Sequence, residues 1–317
     1  MPPFKPARIL AAALCVIAAP ALAEIRVVTS LKPLTLLAQG IATTDTTITT
    51  LVPPGSSPHN YNMKPSQRRA LDDADVIFWV GPDMETFLSR LLAGADFRQR
   101  TISLALDEPA MAESDHADEH DEYGHEDEDH HDEGHGHHDH GEGEDPHIWL
   151  DPALAEQMVE KMHKAMARQP DADTDALGRN LKQFKTRMAA TEAEIRAKLE
   201  PARDISLFAY HDAFVRFAEH YGLKLEGVLT LNPELTPGAR HIARIQDQLG
   251  QGHHPCLLTE PQFNPGIWEV ITEDLDVTFS VWDPLGTDVE EGPEGYFEFQ
   301  HSIADAVLNC LPEQAEH

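Results

Sequence analysis

DADTDALGRNLKQFKTRMAATEAEIRAKLE, residues 171–200, is the stretch on which the architecture turns. Leu177, Leu181, Phe184, Met188, Ile195 and Leu199 recur at spacings of 4, 3, 4, 7 and 4, so a helical period gathers them on one stripe. Pro170 and Pro201 bracket the pattern, and the stretch lacks the Gly-rich composition of a flexible hinge. A single helix of about 28 residues, rising 1.5 Å per residue, would reach roughly 40 Å. That is the length of a rigid strut between two bodies.

Outward from the strut, both flanks alternate strand and helix. Strand patterns fall at 25–29, 47–52, 76–80 and 101–104 before it, and at 205–210, 223–228, 256–259 and 277–282 after it. Helical patterns at 66–73, 85–92, 213–220 and 237–249 separate them. Such alternation implies parallel-rich sheets. The expected fold is therefore α/β, with an N-terminal lobe over 24–170, a linking helix over 171–200 and a C-terminal lobe over 201–317.

The N-terminus addresses the compartment. Lys5 and Arg8, the apolar run 9–19 and Ala21-Leu22-Ala23 make a secretory leader over 1–23. Cys15 raises a lipid anchor as an alternative, but Leu14 before it and the apolar run beyond it favour a mature chain starting at Glu24. Cys256 and Cys310 then remain, and in an exported chain an even pair reads most simply as a disulfide, with a free buried pair as the alternative. The formal charge of −31 argues against nucleic acid and anionic lipid as partners, and favours cations.

In open α/β sheets, ligands bind beyond the carboxyl ends of strands. Four candidate metal ligands stand there or at the start of the next helix. His59 ends the segment Pro53-Pro54-Gly55-Ser56-Ser57-Pro58-His59, His211 follows a strand, Asp283 follows another, and His147 opens a helix. Each alone reads as a capping or hydrogen-bonding residue. Together they supply two groups from each lobe, which points to a single metal in the cleft between them. Imidazoles suit zinc, copper or nickel, whereas oxygen-rich sets suit magnesium, calcium or manganese. Three His with a carboxylate or a water favour tetrahedral Zn2+. A water in the last position would also suit a zinc hydrolase. However, the chain has no H-E-x-x-H helix, G-x-S-x-G elbow or glycine-rich phosphate loop.

Six pieces carry a family resemblance: Pro53 to Tyr61, Trp79-Val80-Gly81-Pro82-Asp83-Met84-Glu85, His147-Ile148-Trp149-Leu150-Asp151-Pro152, Tyr210-His211-Asp212-Ala213-Phe214, Glu260-Pro261-Gln262-Phe263 and Asp283-Pro284-Leu285-Gly286. In this order, over essentially the whole mature chain, the sequence resembles the metal-specific periplasmic solute-binding proteins of ABC importers. Within that cluster it is most similar to the zinc-binding ZnuA proteins. The resemblance implies two lobes joined by one long helix, with little lobe movement on binding. It implies capture of Zn2+ in the periplasm, delivery to a membrane permease with its ATPase, and no enzymatic activity. It places ligands at His59, His147 and His211. Manganese-binding relatives typically carry Glu at the position of His211, so His there supports zinc. The last ligand stays open between Asp283 and water, because Pro58 stands where some ZnuA proteins have a Glu. Glu260 is expected beside the ligands rather than on the metal. A monomer is expected.

From Glu113 to Asp145 the chain has 16 Asp or Glu, nine His and no Lys or Arg. It carries too little apolar surface to offset its ordering entropy, so it reads as disordered. His116, His120, His125, His130, His131, His135, His137, His138 and His140 can chelate zinc there. Each such site must order a floppy chain, so the run reads as a weaker accessory that feeds the cleft or senses excess. A solvated acidic loop is the alternative.

Overall fold

The computed structural model describes residues 24–105, 145–230, 237–263 and 266–312. The expected leader and the nine histidines from His116 to His140 lie outside the described residues.

The first lobe runs β1 (Ile25–Thr29), α1 (Lys32–Gln39), β2 (Thr46–Thr50), α2 (Pro65–Asp73), β3 (Val76–Trp79), α3 (Thr86–Leu92), α4 (Ala95–Arg98), β4 (Thr101–Ser103) and α5 (Pro152–Met166). Its strands pair in parallel in the order β2-β1-β3-β4. Val76-Ile77-Phe78-Trp79 is buried throughout, as a central parallel strand covered on both faces must be. The threonine-rich β2 alternates between half-buried and exposed at the edge, where a mixed surface is tolerated.

The strut is α6 (Thr174–Lys198), 25 residues long. Asp173 caps it by accepting from the amide of Ala176, and a short 3-10 turn containing Pro201 follows it. Leu177, Phe184, Met188 and Ile195 are buried on its stripe, and Leu181 packs at its margin. Beyond it the second lobe runs β5 (Leu207–His211), α7 (Val215–Tyr221), β6 (Leu225–Thr230), α8 (Ala239–Gln251), β7 (Cys256–Thr259), α9 (Gly266–Thr272), β8 (Thr278–Val281) and α10 (Gly295–Leu308). The parallel order β6-β5-β7-β8 repeats that of the first sheet.

The lobes are not independent. One continuous core contains Leu36 of α1, Met158 of α5, Phe184 of α6, Phe217 of α7 and Tyr296 of α10. Helix α10 returns from the second lobe to pack on α6 and α1. Polar links cross as well. Lys32 Nζ donates to the carbonyls of Thr287 (2.7 Å) and Val289 (2.6 Å), and the indole of Trp149 donates to the carbonyl of Pro284 at 2.8 Å. His220 on α7 lies 3.2 Å from Asp151, which caps α5, and 3.0 Å from Glu192 on α6.

Cys256 and Cys310 form a disulfide that ties the start of β7 to the residues just after α10. It closes a loop of 54 residues, which on the chain-entropy model is worth about 4 kcal/mol. Replacing both cysteines by serine is expected to lower the unfolding free energy by that order, measured by urea denaturation. An unchanged midpoint would show that the loop is already constrained in the unfolded chain.

Candidate metal centre

Each site histidine is placed by a different local device. His59 stands on the loop after β2. Gly55 turns that loop with φ +76°, a conformation that L side chains rarely adopt. The Gln67 side chain then braces the far end of the loop, accepting from the amide of Lys64 (2.6 Å) and donating to the Tyr61 hydroxyl (2.7 Å). His147 opens the 3-10 turn Ile148–Leu150. The Asp145 carboxylate accepts from its amide at 2.9 Å and bonds its Nδ1 at 2.7 Å. His211 is the last residue of β5, because the pairing with β6 extends to His211 opposite Thr230. The strand was expected to end one residue earlier. Its Nδ1 lies 3.3 Å from Glu260 Oε1, just beyond β7.

The three rings converge. Their centroids are 5.5 Å apart for His59 and His147, 5.4 Å for His59 and His211, and 4.8 Å for His147 and His211. One ligand nitrogen from each lies within 4.8 Å of the others, and this is the metal-competent cluster found among the described residues. With Nδ1 of His147 and His211 engaged by carboxylates, each ring is left its Nε2 for a metal, the arrangement that fixes tautomer and raises ligand basicity. His211 Nε2 is buried with no hydrogen-bond partner among the described residues. That leaves the nitrogen available to an ion.

Electrostatics keep His59 and His147 in the neutral form. Burial, with His147 and His211 as neighbours, pushes the His59 imidazole down to about 3. Burial also lowers His147, against the opposing pull of its bond to Asp145. Asp145 itself is held below the usual carboxylate range: burial opposes this, but the bond to His147 and the charge of Arg216 outweigh it. Arg216 on α7 reaches across from the second lobe, donating to the Asp145 carbonyl at 2.8 Å and lying 3.2 Å from its carboxylate.

Asp283 does not join the cluster. Its Oδ1 accepts from the amide of Leu285 (2.9 Å) and from Gln262 Nε2 (2.9 Å), and its Oδ2 from the amide of Thr287 (2.6 Å). The turn after Pro284 folds back onto the carboxylate and engages both of its oxygens, so the structure does not bring Asp283 together with the three histidines. Glu260 is 5% exposed, and its Oε1 lies 3.3 Å from His211 Nδ1. The acidic run also needs correcting at its last residue, since the Asp145 side chain is only 10% exposed and orients His147. The signal for it was present as an Asp two residues before a candidate ligand. Trp149 and Phe214 are fully buried core, with Trp149 also lining the cavity. That cavity, of about 20 Å3, is lined by Ser57, His59, His147, His211, Glu260 and Gln262 among others. It has room for an ion with a water.

The model of the zinc-uptake complex component A, periplasmic, ZnuA, matches residues 27–310. The chain belongs to the ZnuA family. It is 34% identical over 293 residues to the high-affinity zinc uptake system protein ZnuA of Yersinia pestis, covering 92% of each chain. A crystal structure of a zinc-bound ZnuA deletion mutant matches with TM-score 0.67 at 22% identity, over 89% of this chain and 98% of that one. The Pseudomonas aeruginosa protein FpvC in complex with Mn2+ matches with TM-score 0.71 at 19% identity, over 92% and 100%.

Two outcomes follow from the two histidine environments. Asp145→Ala is expected to weaken zinc binding about 10–100-fold, the usual cost of losing a ligand's orienting carboxylate. Competition against a chromophoric chelator measures this. Between pH 6.5 and 4.5 the unfolded chain binds protons that the native His59 and His147 refuse, so metal-free stability should fall as pH falls through that window. His220, raised by its bond to Asp151, acts in the opposite sense. Urea midpoints across the window should therefore show a shallower acid slope in His59→Gln than in the parent protein.

Proposed function

We propose that the three-histidine cleft is where this ZnuA-family chain takes up Zn2+, after export behind its N-terminal leader, for delivery to the permease of an ABC importer. The carrying observation is the convergence of three imidazoles from two lobes, two of them backed by buried carboxylates. An all-nitrogen protein donor set suits zinc better than manganese or magnesium. Among the described residues no helix is long and apolar enough to cross a membrane.

Cargo binding is favoured over catalysis by the size of the site. A cavity of about 20 Å3 accommodates an ion and a water, whereas organic ligands ordinarily need several hundred Å3. The chain is read as a monomer with no nucleic-acid partner, in keeping with its charge of −31. The histidine-rich run is read as an accessory zinc collector with weaker sites.

The double variant His59→Ala, His211→Ala is expected to lose tight zinc binding by more than 100-fold. Deleting 113–144, which spares Asp145, should leave one tight zinc per chain and remove the weaker equivalents. Isothermal titration with metal analysis reads both. Tight binding retained in the double variant, or lost in the deletion, would move the site elsewhere.

A further inference from the structure

Gln262 has no part in the site as built from its histidines, yet it lines the same cavity as all three. It follows Glu260-Pro261 beyond β7, and its Nε2 donates to Asp283 Oδ1 at 2.9 Å. A carboxylate only accepts, so the amide must turn its NH2 to Asp283 and its carbonyl oxygen away. Which atom faces which way, usually ambiguous for an amide, is here decided by the partner. Asp283 in turn cannot rotate, because the amides of Leu285 and Thr287 hold both its oxygens. The result is a fixed amide whose Oε1 is buried with no hydrogen-bond partner among the described residues. The Ser57 hydroxyl and His211 Nε2 on the same cavity share that condition. Unpaired buried polar atoms are rare in native proteins, and several on one small cavity mark a place where something polar binds.

We propose that Gln262 is a specificity-determining residue of the zinc site: aimed by Asp283, its amide oxygen accepts a hydrogen bond from a water that fills the ion's last coordination position. The inference rests on the reading of His59, His147 and His211 as ligands. It assigns Asp283 the role of holding a neutral oxygen toward the ion instead of ligating it. The consequence is a donor set with no anionic protein oxygen, which disfavours the harder divalent ions relative to zinc.

The test uses the full mature chain loaded with its first equivalent of metal. Gln262→Met keeps the side chain's size and removes the acceptor together with the donor to Asp283. It is expected to weaken zinc binding about 10–100-fold while the metal-free protein still folds. The visible absorption bands of cobalt bound in the cleft should also shift, which a purely structural role would not cause. Gln262→Glu places a carboxylate in the cavity and should raise the affinity for Mn2+ relative to Zn2+ about tenfold or more. Parent-like zinc affinity and cobalt bands in Gln262→Met, or an unmoved Mn2+ to Zn2+ ratio in Gln262→Glu, would overturn the inference. The His59→Ala, His211→Ala variant separates the two readings. If it keeps the cobalt bands, the ligand assignment fails; if it loses them while Gln262→Met keeps them, only the role of Gln262 fails.

Discussion

Three imidazoles carried by two different lobes can meet at one point only if the lobes are fixed relative to each other. A displacement of an ångström or two between the lobes would separate His211 from His59 and His147, whose ring centroids lie 5.4 Å and 4.8 Å from its own. Much of the structure answers to that constraint. Helix α6 spans the lobes, and α10 returns across the gap to pack on α6 and α1, so both sheets share one core. Close packing makes that core stiff, because a small shift costs many contacts at once. Lys32, Trp149 and Arg216 then pin loops of one lobe to the other by hydrogen bonds.

The same frame governs the electrostatics. Burying neutral imidazoles costs little, whereas burying imidazolium costs much, so the packed cleft keeps His59 and His147 in the form that ligates. Asp145 and Glu260 set carboxylates against the Nδ1 atoms of His147 and His211, leaving Nε2 of each ring for the cluster. An excess of acidic groups over the whole chain adds a field that attracts cations before any of these contacts is made.

Much of this was legible in the sequence, for identifiable reasons. Strand period, helix period and the prolines around 171–200 fall within local windows, so both sheets and the strut could be read directly. His59 and His211 stood out because strand ends are where α/β sheets bind ligands. Asp283 satisfied the same rule, yet its carboxylate binds the turn that follows it, a choice set by backbone amides that look alike in every sequence. Asp145 was hidden by its neighbours: composition grouped it with an acidic run, while its contact to Arg216, 71 residues away, fixes it in place. Gln262 carries no charge and no metal-ligand signature. Only the position of Asp283 shows which way its amide points.

On the proposed assignment of the ligands, selectivity follows from where the site places its carboxylates. Asp145 and Glu260 act through imidazole nitrogens, and Asp283 is occupied by amides of the backbone and of Gln262. Among the described residues, the atoms that meet at the cluster are therefore nitrogens alone. A hard cation gains little from three imidazoles, whereas zinc gains their full donor strength and needs only a tetrahedral arrangement. His59 differs from the other two in being half-buried and in having no carboxylate hydrogen-bonded to its ring among the described residues. Two rings are thus held by carboxylates, and the third is placed by the loop that follows β2.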